Sequence, residues 1–289
     1  MKAWSHIFLR ASWTILIAIG TTNAIGDEPF YHLFNPKPKG AMRELSTDRP
    51  DLTESPYTVD AGHVQWEIDL WNLTYDRSQE QGQQITTASH TWGGLNFKVG
   101  LLDQVDLQAV LPMHVDLRTK SSIAGQSQRQ RKRGTGDLTT RLKINLWGND
   151  GGRTAMAIMP FVTFPTGAES IGQDRAAGGV IVPFAMELEK GWSLGAQTEV
   201  DWVEDEGNGL DTQWFNTLTL GHAIVGNLAG YTEWAARVHL DSDQPWEGQW
   251  NVGLTYAISS EMQLDGGCNF GITSSAPQAN PFLGLSRRF

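Results

Sequence analysis

Cysteine is nearly absent from the 289-residue sequence, and the single residue, Cys268, excludes any intrachain disulfide. Long apolar runs are missing after residue 20, which excludes a helical membrane protein. Lys and Arg number 22 against 32 Asp and Glu, and the net charge of −10 argues against nucleic acid as a partner. An acidic excess is also a common solubility device, so this charge selects no particular function.

The first residues have the order of a secretory signal peptide. Lys2 and Arg10 precede an apolar run over residues 11–20, and the sequence Thr-Asn-Ala at 22–24 is a small-x-small cleavage pattern. We therefore expect residues 1–24 to be removed. The alternative is an uncleaved anchor, but about ten apolar residues are too few to cross a bilayer as a helix, which needs about 20.

Residues 25–60 show no periodicity and carry prolines at positions 29, 36, 38, 50 and 56, which would interrupt a helix or a central strand. This composition predicts an extended segment in the periplasm or in the lumen of a larger domain. Residues 47–60 could fold into the mouth of a larger domain as a plug, through Asp48, Arg49, Asp51 and Glu54, with Arg49 paired to a carboxylate. A chain of local Asp and Ser/Thr turns is an equally good interpretation.

From Ala61 onward, apolar and polar residues alternate with a period of two, which is the pattern of half-buried strands. In GHVQWEIDL (residues 62–70), for example, the odd positions are all polar. Such segments recur, separated by turn residues, and predict roughly twelve antiparallel strands over residues 61–289, with an error of about two. Short turns alternate with longer polar connections, among them 76–84 and 119–135, as in outer-membrane barrels.

Alternation alone does not distinguish a soluble sandwich from a barrel in lipid, but the tryptophans favour the barrel. Trp192 and Trp202 lie ten residues apart on one strand face, which spans about 25 Å of membrane for a strand tilted by about 40°. That spacing fits two aromatic belts, although tryptophan can equally occupy a core. Outer-membrane barrels also commonly end in an aromatic residue that the assembly machinery reads, and this chain ends in Phe289, whereas Arg287 departs from the usual apolar residue.

The stretch TDRPDLTESPYTVDAGHVQWEID (residues 47–69) resembles the opening of the outer-membrane family labelled MetA-pathway of phenol degradation, whose members are often named simply transporters. GTGDLTTRLKINLW (134–147), the PTG of TFPTG (163–167) and LDGGCNFGIT (264–273) resemble the same family. The resemblance implies an outer-membrane β-barrel of a Gram-negative-type cell that passes hydrophobic or aromatic compounds and is not an enzyme.

If the apolar faces meet lipid, the polar faces of the strands line a lumen. The acidic majority of these residues would favour cations or neutral polar solutes over anions. Charges in an enclosed lumen must pair or stay hydrated, so most are expected to form a structural salt-bridge network. A barrel of twelve strands is narrow, and side chains could nearly fill it. The residues expected in the lumen are His63, Gln65, Glu67, Asp69, Asp106, Asp137, Arg141, Lys143, Glu187, Glu199, Asp201, Glu233, Arg237 and Asp265.

Signals for catalysis and metal binding are weak. His90 lies next to Ser89 but on the opposite strand face, which is a poor arrangement for a phospholipase-type nucleophile. The other histidines considered, at 63, 114, 222 and 239, fall on separate segments without metal-ligand spacing. We therefore expect no enzyme activity, no cofactor and no metal.

One strongly basic run, GQSQRQRKRG (125–134), stands out in an otherwise acidic chain. A solvated loop tip is the favoured interpretation. A specific contact with an anion or with lipopolysaccharide is the alternative.

The sequence thus predicts an all-β protein, an antiparallel transmembrane β-barrel of about twelve strands with an extended N-terminal segment, in the outer membrane. The leading hypothesis is a channel for passive diffusion of small solutes, hydrophobic or aromatic ones among them, through an acidic lumen. The alternative is a non-conducting barrel with a binding or structural role. The expected partners are the lipid bilayer, small solutes and, through Phe289, the assembly machinery.

Overall fold

The alternating segments form one antiparallel sheet in the computed structural model. The structure describes residues 29–80, 82–123, 126–204 and 209–289, and Tyr31–Phe289 make up one unit. The predicted signal peptide, residues 1–24, lies outside the described residues.

Thirteen strands are present in the described part of the chain. Two 3-10 turns, Lys39–Ala41 and Glu189–Gly191, accompany them. No helix among the described residues is long and apolar enough to cross a membrane. The strands are β1 (Val64–Glu80), β2 (Gln83–Leu102), β3 (Val105–Ile123), β4 (Gln126–Gly134), β5 (Leu138–Trp147), β6 (Thr154–Phe164), β7 (Ala177–Glu187), β8 (Trp192–Glu204), β9 (Leu210–Val225), β10 (Leu228–His239), β11 (Glu247–Ser259), β12 (Met262–Gly271) and β13 (Ala279–Arg288).

Pairing of the first and last strands closes the sheet into a barrel. Gln65 of β1 lies opposite Arg288 of β13, and β5 to β13 pair in chain order. Strand β3 has two partners on one side, because residues 105–110 pair with β5 and residues 115–123 pair with β4. Strands β4 and β5 therefore share one position, and the barrel has twelve positions. The predicted closed antiparallel barrel of about twelve strands is confirmed.

Two connections that the sequence pattern assigned to long loops are strands instead. Residues 76–80 and 83–84 continue β1 and β2, and Gln126–Gly134 forms β4, so the basic run is not a loop tip. Strands β1 to β3 have 17 to 20 residues, whereas β5 to β13 have 10 to 16. These parts of β1 to β4 form an extension beyond the other strands. The sequence of this extension does not alternate between apolar and polar residues, because both faces of its strands carry polar side chains.

Burial is inverted relative to a soluble protein. Trp192 and Trp202 are 40% and 45% exposed, whereas Glu67, Lys98 and Glu233 are at most 2% exposed. A core between two sheets would bury the tryptophans and expose the charges. The apolar face is therefore the outer face of the barrel, where it meets lipid, and the charged face is the inner one.

The two ends of the barrel differ in their connections. Short links at one end, called the turn end, join β2 to β3, β5 to β6, β7 to β8, β9 to β10 and β11 to β12. Longer connections, residues 165–176, 240–246 and 272–278, lie at the other end, called the loop end. Strand β1 begins and strand β13 ends at the turn end, so the segment that precedes β1 reaches the barrel there. In outer-membrane barrels the short turns face the periplasm.

Candidate functional site

Residues 43–60, called the inner segment, fold into the barrel from its turn end and return to it. The two ends lie side by side, since Nε of Arg43 is 2.9 Å from Oδ1 of Asp60. The outgoing and returning arms are joined where the hydroxyl oxygens of Ser46 and Ser55 are 2.6 Å apart. The segment is thus a loop whose tip reaches strand β10 of the barrel wall.

The tip of the inner segment is bound by Glu233 of β10, which is fully buried. This carboxylate accepts hydrogen bonds from the backbone N–H groups of Leu52 (3.0 Å) and Thr53 (2.9 Å), and from Oγ1 of Thr53 (2.7 Å). Nδ2 of Asn251 donates to it at 2.7 Å. Several donors around one carboxylate compensate for its removal from water.

Four charged side chains, Asp48, Glu67, Lys98 and Lys143, meet beside the outgoing arm and are called the central cluster. Nζ of Lys143 is 2.5 Å from Oδ1 of Asp48, and Nζ of Lys98 contacts both Oδ2 of Asp48 and Oε1 of Glu67. All four residues are almost completely buried. Because two cations face two carboxylates, the cluster can be buried without net charge.

Arg49 fixes the next position of the inner segment. Its Nη1 lies 2.5 Å from Oδ1 of Asp69, and its Nη2 lies 2.9 Å from Oδ1 of Asp265. Gly284 of β13 faces the guanidinium, and a Cβ atom there would collide with it. The barrel wall therefore carries glycine at the point where the arginine needs room.

The return of the inner segment is held by strands on another side of the barrel. Oε1 of Glu54 is 2.5 Å from Nη1 of Arg141, and the Glu54 N–H donates to Oε1 of Gln197 at 2.7 Å. Nδ2 of Asn145 donates to the backbone oxygen of Pro56 at 2.9 Å. Together with Glu233 and the central cluster, these contacts bind the segment to strands β1, β2, β5, β8 and β10.

A second group of ion pairs lies at the turn end. Arg288 lies between Oδ2 of Asp60 (3.0 Å from Nη1) and Oε2 of Glu261 (2.6 Å from Nε). Hydrogen bonds from Arg288 hold the pKa of Glu261 below its ordinary value. The ring of His63 lies between two backbone oxygens, 2.8 Å from that of Phe289 and 2.7 Å from that of Lys37. These contacts join the end of β13 to the chain that precedes β1.

A polar cavity of about 500 Å³ lies on the loop side of the inner segment. One of its two arginines is Arg237, whose Nη1 is 2.6 Å from Oε1 of Gln213 and 3.4 Å from Oδ2 of Asp201. The Arg237 guanidinium also stacks over Phe215, with Cζ 4.6 Å from the ring centroid. The cavity wall combines this aromatic surface with the ring of His239 and with acidic and basic side chains, among them Glu54, Arg141, Glu199 and Glu247.

Most of the residues predicted for the lumen lie inside the barrel wall. Asp51 is half-buried near the tip of the inner segment, which Asp48, Arg49 and Glu54 anchor. His63 lies at the turn end, while Glu199 lines the cavity and Arg237 and Asp201 pair beside it. Those that contact the inner segment are Gln65, Glu67, Asp69, Asp106, Arg141, Lys143, Glu233 and Asp265.

Two of the predicted lumen residues have other positions. Asp137 accepts the backbone N–H groups of Gly167 and Gln173, both at 2.7 Å, and so orders the loop between β6 and β7. Glu187 is exposed at the rim of the turn end. Asp137 directly precedes β5 and Glu187 ends β7. At the end of a strand, a side chain on the inner face lies at the rim of the barrel and is not enclosed by the lumen.

The sequence prediction missed Lys98, which holds two carboxylates of the central cluster. The signal was present in β2, where Asn96 and Lys98 alternate with Phe97 and Val99. No comparable pattern predicts that Thr53 binds Glu233, because the two residues lie 180 positions apart in the sequence.

The histidines of the described residues lie apart from any group of metal ligands, and His90 does not share a strand face with Ser89. Within the described residues, no three His, Cys, Asp or Glu side chains are arranged to hold a metal ion. His90 stacks on Trp92 with ring centroids 5.4 Å apart and lies 6.4 Å from the ring of Trp71. Ser89, its neighbour along β2, is on the opposite face.

Comparison with protein-family models matches residues 47–289 to the family described as "Putative MetA-pathway of phenol degradation". The chain belongs to this family. The resemblance predicted from the short sequence stretches is thereby confirmed. Comparison with curated proteins gave no match.

Among solved structures, an outer membrane channel from Pseudomonas putida F1 superposes with a TM-score of 0.60 at 14% identity, covering 84% of this chain and 100% of the other. The NanC porin gives 0.46 at 9% identity, covering 75% and 98%. The translocator domain of the autotransporter NalP from Neisseria meningitidis gives 0.47 at 9%, covering 78% and 88%. The first of these matches shows that this family member has the fold of an outer-membrane barrel.

Proposed function

We propose that this family member is a channel of the Gram-negative outer membrane through which small solutes diffuse passively. The observation that carries the proposal is the cavity of about 500 Å³ between the loop end and the inner segment. In this proposal the inward-facing charged residues line the lumen, and residues 47–60 of the inner segment act as its plug or constriction. The fold relative from Pseudomonas putida is named an outer membrane channel.

The attachments of the inner segment support a plug that can yield. They are hydrogen bonds and ion pairs to residues such as Glu233, Lys143 and Arg141. A hydrogen bond to a charged group of this kind contributes about 1.5–3 kcal/mol net, and water can solvate both partners when the segment moves. A segment held in this way can rearrange around a solute more easily than one packed into an apolar core.

The cavity supports a solute class as well. Phe215 gives an aromatic surface, and the guanidinium above it leaves a polar edge, a combination that suits small molecules with an apolar or aromatic part. Three carboxylates against two arginines disfavour anions. These charged residues are Glu54, Glu199, Glu247, Arg141 and Arg237.

Single-channel recording in planar bilayers tests the proposal. We expect the full chain to give discrete conductance steps with a preference for cations, and the variant that lacks residues 47–60 to give larger steps. Glu199→Gln/Glu247→Gln should reduce the cation preference, while the control Glu169→Gln/Glu189→Gln, at exposed positions away from the cavity, should not. Silence of the full chain at every voltage and salt concentration would refute the channel.

A non-conducting barrel with a binding or structural role is the second candidate. It is favoured by the complete burial of the lysines in the central cluster, because breaking a buried ion pair by removing one partner costs about 3–5 kcal/mol. This candidate predicts a silent full chain and conductance only after residues 47–60 are removed. Conductance of the full chain would exclude it.

We further propose that Phe289 is read by the assembly machinery of the outer membrane. Phe289 is 45% exposed, and Cζ of Arg287 lies 4.6 Å from the centroid of its ring. Phe289→Ala should lower the fraction of barrel that assembles in cells, measured by the heat-dependent mobility of folded barrels in gels. Leu283→Ala, an exposed position on the same strand, is the control. An unchanged folded fraction for Phe289→Ala would contradict this role.

A further inference from the structure

The basic run of the sequence forms an ordered surface on the β3–β4 extension. Residues 126–134 pair with residues 115–123 in an antiparallel ladder, so that each basic residue has a defined neighbour. Arg131 lies opposite Arg118, Arg129 opposite Lys120, and Arg133 opposite Asp116. Cross-strand partners share one face of a sheet. These five cations, called the basic face, therefore stand together on one side of the extension.

Asp116 compensates only part of this charge. Its carboxylate is 3% exposed and accepts hydrogen bonds from Arg131 (Nε, 2.7 Å) and Arg118 (Nη2, 3.0 Å), with Nε of Arg133 at 3.4 Å. The three arginine side chains remain about half exposed. Like charges directly opposite each other in a sheet are destabilising. The basic face thus has one carboxylate for five cations and presents free donors to an external anion.

The basic face lies on the outer surface of the barrel. Trp71 lies opposite Leu283, which is exposed on the outer face, so Trp71 also faces outward. The Trp71 ring lies beside the ring of His90 on β2. His90 is the cross-strand partner of Asp116, so Asp116 and the basic face share this outer side. The same face carries the stacked ring of Trp92 and, 5.6 Å from it, the ring of His114. Aromatic rings of this kind mark the membrane interface.

The basic face begins where this aromatic group ends, on the side of the loop end. Arg118 is four residues beyond His114 along β3, which is about 13 Å at about 3.3 Å per residue. With the short turns toward the periplasm, the loop end faces outward. The basic face then stands at and just above the headgroups of the outer leaflet, where an outer membrane carries the phosphates of its lipopolysaccharide.

We propose that the basic face binds the phosphate groups of lipopolysaccharide and so anchors the extension to the outer leaflet. Arginine is suited to this role because its planar fork of donors matches phosphate oxygens. The bound phosphates also relieve the repulsion between Arg118 and Arg131 and between Lys120 and Arg129. The proposal rests on the outer-membrane location and is independent of whether the barrel conducts.

Co-purified lipopolysaccharide, quantified per mole of the full chain extracted in mild detergent, tests the proposal. The variant Lys120→Gln/Arg129→Gln/Arg133→Gln leaves Arg118 and Arg131 on Asp116, so the fold of the extension is preserved. We expect it to retain at least fivefold less lipopolysaccharide than the unaltered chain. The control Lys132→Gln/Arg153→Gln/Lys190→Gln removes the same charge, with Lys132 on the other face of the ladder and the other two at the turn end. It should retain the normal amount.

A second measurement distinguishes the lipid from free phosphate. Purified, delipidated chain is titrated with lipid A that carries both phosphates, with dephosphorylated lipid A, and with inorganic phosphate, and its thermal unfolding is followed. Stabilisation by the phosphorylated lipid alone, lost in the basic-face variant, supports the proposal. Equal stabilisation by dephosphorylated lipid or by inorganic phosphate, or equal lipid retention by the two triple variants, would overturn it.

Discussion

Nζ of Lys143 lies 2.5 Å from Oδ1 of Asp48, and the two side chains are only 1% and 4% exposed. One belongs to the barrel wall and the other to the inner segment, so this ion pair joins two parts of the chain that are 95 residues apart. Lys98 completes the arrangement by joining Asp48 to Glu67. The fold of the inner segment and the fold of the barrel interior therefore depend on each other.

Removing Lys143 should destabilise the barrel strongly. Lys143→Met leaves Asp48 buried with Lys98 alone, which Glu67 already shares. Loss of one partner of a buried pair costs about 3–5 kcal/mol. We expect the free energy of unfolding in detergent, measured by guanidinium titration, to fall by about this amount.

A double-mutant cycle supplies the control for this prediction. Asp48→Asn/Lys143→Met should lose at least about 1 kcal/mol less than the sum of the two single variants, because neither charge is then left alone. Arg153→Gln, at an exposed position, should change the free energy by no more than about 0.5 kcal/mol. If the losses of the two single variants add up to the loss of the double variant, the interaction free energy between Asp48 and Lys143 is zero.

Gly284 should be needed because a side chain at this position would collide with Arg49, and not because the backbone of β13 requires glycine. In Gly284→Ala the new Cβ would occupy the position of the guanidinium and force it away from Asp69 and Asp265. Overpacking of this kind costs about 1–3 kcal/mol. The same substitution in an Arg49→Ala background should cost less than about 0.5 kcal/mol, as measured by the same titration.

The matched control is Gly40→Ala, because no atom lies within 4 Å of a Cβ built at Gly40. Its free energy of unfolding should stay within about 0.5 kcal/mol of the unaltered chain. If Gly284→Ala is equally harmful with and without Arg49, the glycine serves the backbone of β13 and the arginine does not require it.

The barrel was predictable from sequence because its strands lie between lipid and a polar interior. That boundary imposes the period of two, and it places Trp192 and Trp202 on the outer face. The β4 strand was not predictable, because a strand in water on both faces needs no alternation. The pattern also changes phase at the register shift between Asp69 and Trp71, after which odd positions of β1 face outward.

The contacts of the inner segment were harder to predict than the strands. Alternation identifies an inward residue such as Glu233 but not its partner, since Thr53 lies 180 residues away and is one of many polar residues in the chain. The ends of strands mislead for a related reason. Asp137 has the alternation of a lumen residue, yet the nearest backbone N–H groups belong to a loop.

The ring of His63 should hold the chain that precedes β1 against the turn end of the barrel. It lies 2.8 Å from the backbone oxygen of Phe289 and 2.7 Å from that of Lys37, so it joins the end of β13 to this part of the chain. His63→Ala removes both contacts, and each lost hydrogen bond contributes about 0.5–1.5 kcal/mol. We therefore expect hydrogen exchange of residues 31–37 to be faster in His63→Ala than in the unaltered chain, by about fivefold or more.

His222→Ala is the matched control, because the ring of His222 on β9 also contacts a backbone oxygen at the turn end, that of Gly191 at 3.1 Å. Hydrogen exchange of residues 31–37 in this variant should equal that of the unaltered chain. Equal exchange in His63→Ala and in the unaltered chain would contradict the role of the His63 ring.

Charge introduced on the outer face should destabilise the barrel according to its depth in the membrane. Leu218 lies in the middle of β9 and is 45% exposed, whereas Val225 ends the same strand at the turn end and is 70% exposed. Arginine at the bilayer midplane costs about 2–4 kcal/mol, and near the interface about 0–1 kcal/mol. We expect Leu218→Arg to lower the free energy of unfolding in lipid vesicles by the larger amount and Val225→Arg by the smaller one. In a soluble sandwich the ranking would follow packing instead, and equal costs at the two positions would contradict a lipid-facing strand β9.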